Sequence, residues 1–144
     1  MADLVTRDQY KDYKGIDHFK DDSKIDSLLS PVSELVKTYC GTSFIDYYST
    51  NKTEIFDIMD GQTAELFLTE SPLVSVSSVK EREGITSAYT TLVNNTDYYI
   101  DLEHDRLYRI DGDISSKNWA KGFASVEVIY RAGYSATPQD LRLA

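Results

Sequence analysis

The sequence predicts an α+β fold, with helices first and an antiparallel sheet after them. Two observations carry this. Apolar residues recur at spacings of three and four as far as Tyr39, which is helical spacing. From Thr42 onward the period becomes two, and short strand-like runs follow one another between turn residues.

The elements follow in order. Thr6 and Gln9 make a capping-box pattern, so a short helix is expected from about Arg7 to Lys14, with Gly15 closing it in the left-handed conformation. Asp21, Asp22 and Ser23 suit the start of a second helix, since acidic residues complement the helix N-terminus. Ile25, Leu28, Leu29, Val32, Leu35, Val36 and Tyr39 then form one apolar stripe, ended by Gly41. Pro31 lies inside this stretch and removes a backbone donor, so a kink or two shorter helices with Ser30 as a cap are expected.

Thr53–Asp60 places Glu54, Phe56 and Ile58 on one face and Ile55, Asp57 and Met59 on the other. Asp60-Gly61 is a tight-turn signal, and Ala64–Thr69 is expected to complete a hairpin with that run. Leu73 begins a longer strand. Thr90–Val93, Tyr98–Leu102 and Arg106–Ile110 are short strands, and Asp111-Gly112-Asp113 is a loop. Ala124–Tyr130 is a strand that alternates Val126, Val128 and Tyr130 against Ser125, Glu127 and Ile129. Thr137-Pro138 opens a last helix, with Thr137 as cap and Pro138 at the first position. No repeat, low-complexity tract or linker divides the chain. It is expected to be one domain over residues 1–144, with a helical part at 6–41, an antiparallel β part at 42–134 and a C-terminal segment at 137–144.

Composition narrows the function. A chain of 144 residues can bury a core of its own, and 41% apolar with 27% charged residues is globular. Eleven tyrosines suit half-buried strands and subunit interfaces, where the ring packs and the hydroxyl stays wet. The net charge of −9 repels phosphate backbones, and no Lys/Arg cluster offsets it, so the chain is not expected to grip nucleic acid. Cys40 alone allows neither an internal disulfide nor a zinc site, and is expected as a small buried core residue. No basic-then-apolar leader and no run of ~20 apolar residues is present, so the chain is expected in the cytosol or assembled there.

No arrangement compels a catalytic reading, and a non-enzymatic one is preferred. His18 and His104 lie in expected loops, away from any nucleophile elbow. Asp101, Glu103 and Asp105, with Asp111 and Asp113 nearby, form the best metal-like cluster. An EF-hand would need Gly at its sixth position and Glu at its twelfth, where this sequence has Arg106 and Gly112. Solvated turn carboxylates are the preferred reading, so no metal and no cofactor is assigned. The seven glycines are scattered singly and build no phosphate loop. Trp119 can be a stacking platform for a base or sugar, or a core anchor before the last strand; the anchor is preferred.

Three segments, in order, are distinctive. The first is Tyr39-Cys40-Gly41-Thr42-Ser43-Phe44. The second is Leu66-Phe67-Leu68 with Ser71-Pro72-Leu73-Val74-Ser75-Val76-Ser77-Ser78-Val79. The third is Trp119, Gly122 and the run Val126-Glu127-Val128-Ile129-Tyr130-Arg131-Ala132-Gly133-Tyr134, followed by Pro138-Gln139-Asp140-Leu141-Arg142-Leu143-Ala144. Together they resemble the head–tail connector (head-completion adaptor) family of tailed bacteriophages, over roughly Val5 to Ala144. The resemblance implies a structural virion protein at the neck, assembled in the host cytoplasm. It implies a homo-oligomeric ring, usually of twelve copies, beneath the portal protein. Such a ring extends the channel through which DNA passes without specific binding, and supports a downstream head-closure or tail protein. It also implies a portal-docking segment that begins near Pro138, which here comprises Gln139, Asp140, Leu141, Arg142 and Leu143. Members of that family generally continue with more helix beyond this point. The nearest alternative is another neck or tail-completion protein, a stopper or tail terminator. The alternative of a different class is a small β module binding Ca²⁺ or carbohydrate through Trp119 and Asp101–Asp113.

Overall fold

A computed structural model describes residues 1–143. Helix α1 spans Arg7–Lys14. Its N-terminus is held by a reciprocal capping box: Gln9 N–H donates to Thr6 Oγ1 at 3.3 Å, and Thr6 N–H donates to Gln9 Oε1 at 3.0 Å. Helix α2 spans Asp22–Cys40 and ends at Gly41, whose φ of 70° is left-handed.

Of the two outcomes expected at Pro31, two shorter helices are not found: α2 is one helix with Pro31 inside it. The carbonyl that loses its donor belongs to Ser27. Both Ser27 and Pro31 are on the exposed side, where water can replace the missing bond. Ser30 is not a cap; its hydroxyl donates to Asp3 Oδ1 at 2.8 Å.

Eight strands follow: β1 (Lys52–Ile58), β2 (Glu65–Phe67), β3 (Leu73–Glu81), β4 (Thr90–Thr91), β5 (Tyr98–Asp101), β6 (Arg106–Asp111), β7 (Ser115–Ser116) and β8 (Gly122–Ala132). A short helix, α3, begins at Gln139. The strands form two antiparallel sheets. One has the order β1-β8-β3-β4; the other has β2-β6-β5, with β7 added on β6. The short strand β7 was not foreseen.

The expected hairpin between Thr53–Asp60 and Ala64–Thr69 does not form. β1 pairs with β8 (Glu54 opposite Val128), and β2 pairs with β6 (Leu66 opposite Leu107). The Asp60-Gly61 turn instead passes the chain from one sheet to the other. Asp60 Oδ1 accepts from Gln62 N–H at 2.9 Å and from the Thr63 hydroxyl at 2.8 Å, an Asx turn that redirects the backbone locally. These bonds hold the Asp60 carboxyl below its ordinary pKa.

Both sheets share one core. Val79, Val126, Val128 and Tyr130 enter it from the first sheet, and Leu66, Tyr98 and Leu107 from the second. The inward alternation of Val126, Val128 and Tyr130 is as the sequence indicates. Trp119 is buried in this core, and its Nε1–H donates to the Ala64 carbonyl at 2.9 Å, so it is an anchor. Arg109 is buried beside it. Its guanidinium donates to Glu81 Oε1 at 2.6 Å, joining β6 to β3 across the two sheets, and to the carbonyls of Asp97 and Ile110. No residue of α1 or α2 takes part in this core.

Candidate docking surface

The helical part attaches to the strands through a joint, not through a shared face. Its main pieces are the Thr42–Tyr47 segment, Glu70 and the end of β8. Glu70 Oε2 accepts from Thr42 Oγ1, Ser43 N–H and Ser43 Oγ, each at 3.0 Å, while Oε1 pairs with Lys52 at 3.1 Å. Burial pushes the Glu70 carboxyl up, but the Ser43 bonds and the Lys52 ammonium outweigh it and hold its pKa below the ordinary value. The Tyr130 hydroxyl donates to Glu54 Oε2 at 2.6 Å and accepts from Glu70 N–H at 3.2 Å. Burial and the adjoining Glu54 carboxylate push the Tyr130 hydroxyl's pKa well up, so it stays protonated.

The backbone closes the joint. Tyr134 N–H donates to the Phe44 carbonyl at 2.8 Å, and Ala132 N–H to that of Tyr47 at 3.0 Å. Gly133 has φ of 103°, and a Cβ built there would lie 2.2 Å from Phe44 O. Glycine is required by both the dihedral and the space.

Helix α2 is inverted. Its buried residues are Ile25, Ser33 and Lys37. Ser33 Oγ accepts from Leu4 N–H at 3.0 Å. Lys37 Nζ donates to the Ala2 carbonyl at 2.6 Å and to both oxygens of Asp46, at 2.9 and 3.0 Å. The N-terminal segment therefore covers the polar side of α2. The side carrying Leu28, Val32, Leu35 and Tyr39 faces out. Cys40, expected in the core, is exposed with Thr38 and Tyr39, because none of the described residues covers that side of the last turn.

Part of this outward face lines a groove of about 560 Å³. Tyr10 and Tyr13 of α1 form one wall, Leu28 and Val32 of α2 another, and Leu141 and Arg142 of α3 one end. The lining is apolar apart from the heads of a few side chains. At the other side of α1, Lys11 Nζ donates to Asp22 Oδ1 at 2.8 Å and to the His18 carbonyl at 2.6 Å, which fixes α1 against the start of α2. Hydrogen bonding from Lys11 lowers the Asp22 pKa.

The residues singled out from the sequence fall as follows. Gln139, Asp140 and Arg142 are exposed, and Leu141 is half-buried at the groove. Gln139 and Arg142 also border a shallow depression with Gln9 and Asp12. The Leu143 side chain and Ala144 lie outside the described residues. The Thr137 hydroxyl donates to the Leu4 carbonyl, which ties the C-terminal segment to the N-terminal one. His18 and His104 are exposed. The acidic run does not converge: Asp101 accepts from Arg106 Nε at 3.0 Å, which lowers its pKa, and Asp105 Oδ1 accepts from Leu73 N–H at 2.6 Å. Among the described residues no group of His, Cys, Asp and Glu is placed to hold a metal ion. With Trp119 in the core, a stacking surface built on it is removed. What sequence reasoning missed is the outward direction of the α2 stripe and the Glu70–Tyr130 joint. The stripe itself was visible; its direction depends on the distant Ala2, Leu4 and Asp46.

The described residues thus combine a packed strand core with a helical layer that exposes part of its apolar side. The model of the head completion protein family matches residues 3–144, and the chain belongs to that family. The family is one of structural head completion proteins and is not a class of enzyme. No curated protein matches the sequence. Among solved structures, the chain is similar in fold to one in a structure described as "Neck of empty GTA particle computed with C6 symmetry". The TM-score is 0.66 at 13% identity, covering 97% of this chain and 72% of that one.

Proposed function

We propose that this chain is the head–tail connector: a ring of about twelve copies beneath the portal that extends the DNA channel and receives the next neck or tail protein. The observation that carries this is helix α2, whose Leu28, Val32, Leu35 and Tyr39 stand exposed among the described residues and call for a neighbour. The sixfold symmetry applied to the neck with the similar fold is compatible with twelve copies. The 6–41, 42–134 and 137–144 parts act as one unit, held at the Glu70 and Gly133 joint. The C-terminal segment from Gln139 to Leu143 faces the portal. A lumen lined by copies of a −9 chain repels DNA and lets it slide without specific contacts. The work is mechanical and needs no active site or cofactor.

Electron microscopy of the purified chain mixed with its portal tests this. A ring of this chain seated under the portal is expected, and deleting residues 139–144 is expected to release it. A chain that stays monomeric and does not bind the portal overturns the reading.

A further inference from the structure

We infer that the exposed seam of α2 is the contact between adjacent copies of this chain, seated against the helical part of the next copy; this rests on the ring reading above. Ile25, Leu28, Val32, Leu35 and Tyr39 follow the alternating three-and-four spacing of a helix–helix seam. Ile25 is covered by the chain itself. The other four stand out at 59%, 53%, 68% and 90% exposure, and Tyr13 of α1 extends the patch at 65%. Large side chains exposed in one row are rare on a protein that stands alone.

Charge selects the occupant. Residues 1–41 carry eight acidic and six basic side chains, a net of −2, while residues 42–144 carry sixteen and nine, a net of −7. Two identical chains approach with least repulsion through their helical parts, and most through their β parts. The seam has the same property at close range. Leu29, Pro31, Val36 and Thr38 flank it, and only Lys24 at its start is charged. A partner of opposite charge would gain nothing from so neutral a stripe, whereas a second copy of a strongly acidic chain needs one. The seam also extends past the groove: Leu35 and Tyr39 are exposed and are not among the residues that line it.

Two variants test this in assembled particles. Leu35→p-benzoylphenylalanine, irradiated in purified necks, is expected to give a covalent pair of this chain at twice its 16.3 kDa mass. Val32→Glu is expected to fold, since the site is exposed, but to enter necks at least about tenfold less well, because seating it would bury an unpaired charge. Rings seen by microscopy in which position 35 cross-links to a different protein, or does not cross-link, overturn the seam assignment and leave the ring standing. Val32→Glu assembling at the wild-type level overturns it likewise. Necks that contain no ring of this chain overturn both.

Discussion

The β part and the helical part use hydrophobic residues in opposite directions. In the β part, Leu107, Val79, Val126 and Val128 have no accessible surface, and even Arg109 is folded in with its counter-charge. In the helical part, α2 hides Ser33 and Lys37 and displays Leu28, Val32, Leu35 and Tyr39. The first arrangement builds a core. The second leaves a row of side chains uncovered, although a helix of this length gains most of its stability from packing its apolar side. The strand core is thus separate from the exposed row of α2, while the outer faces of the β part also display Ile55, Phe67, Ile114 and Phe123.

Leucine-to-alanine changes in the two regions test that separation most strongly. Leu107→Ala opens a cavity between the sheets and is expected to cost about 2–5 kcal/mol. Leu35→Ala in the isolated chain removes surface that water already touches, and is expected to stay within about 0.5 kcal/mol. Urea denaturation of the two variants measures both. Equal losses would mean that α2 is buried within the isolated chain and that the contrast is false.

Much of this contrast was legible in the sequence, and the illegible part has a physical cause. Helix α1, its capping box and the Val126–Tyr130 alternation follow from residues near one another in the chain. The failures concern choices between distant partners. The run Thr53–Asp60 carries a strand pattern, but whether it pairs with β2 or with β8 depends on the Asx turn at Asp60 and on the two-sheet core. The α2 stripe announces that an apolar side will be covered, and cannot announce by whom. Cys40 was placed inside by the same inference and is outside for the same reason. Only the family resemblance marks the Gln139–Leu143 segment; local pattern gives no sign of it beyond Pro138.

The next effect in size concerns the joint that keeps the two regions in one orientation. Gly133→Ala places a methyl 2.2 Å from Phe44 O at φ of 103°. The strain is expected to cost about 1–3 kcal/mol and to fall on the joint, because β8 residues before Gly133 remain paired to β1 and β3. Hydrogen exchange checks this. The amide of Tyr134, which donates to Phe44, should lose protection, while that of Val128 should keep most of its own. Uniform loss across the β part would mean that the joint belongs to the strand core.

The smallest expected effect probes the charge within that joint. The Glu70 carboxylate is held below its ordinary value of 4.5, so its partners favour the ionised form in the folded chain. A depressed pKa contributes stability that is present above the unfolded value and is lost as pH falls through the folded one. Glu70→Gln keeps the side-chain shape and one carbonyl for Ser43 but removes the charge that Lys52 meets. At pH 7 the variant is expected to be less stable by on the order of 1 kcal/mol, since Lys52 is partly open to water and the pair is screened. Below pH 4.5 the unfolded wild type binds a proton that the folded chain still resists, so the difference starts to shrink and is lost as the pH falls through the lower folded value. Asp22, Asp60 and Asp101 also have lowered values and give both proteins a common acid slope, so the readout is the difference between the two melting curves and not either curve alone. A difference that stays constant from pH 7 to below 4 would mean that Glu70 holds the joint by shape, and that its charge contributes nothing to keeping the helical part on the strands.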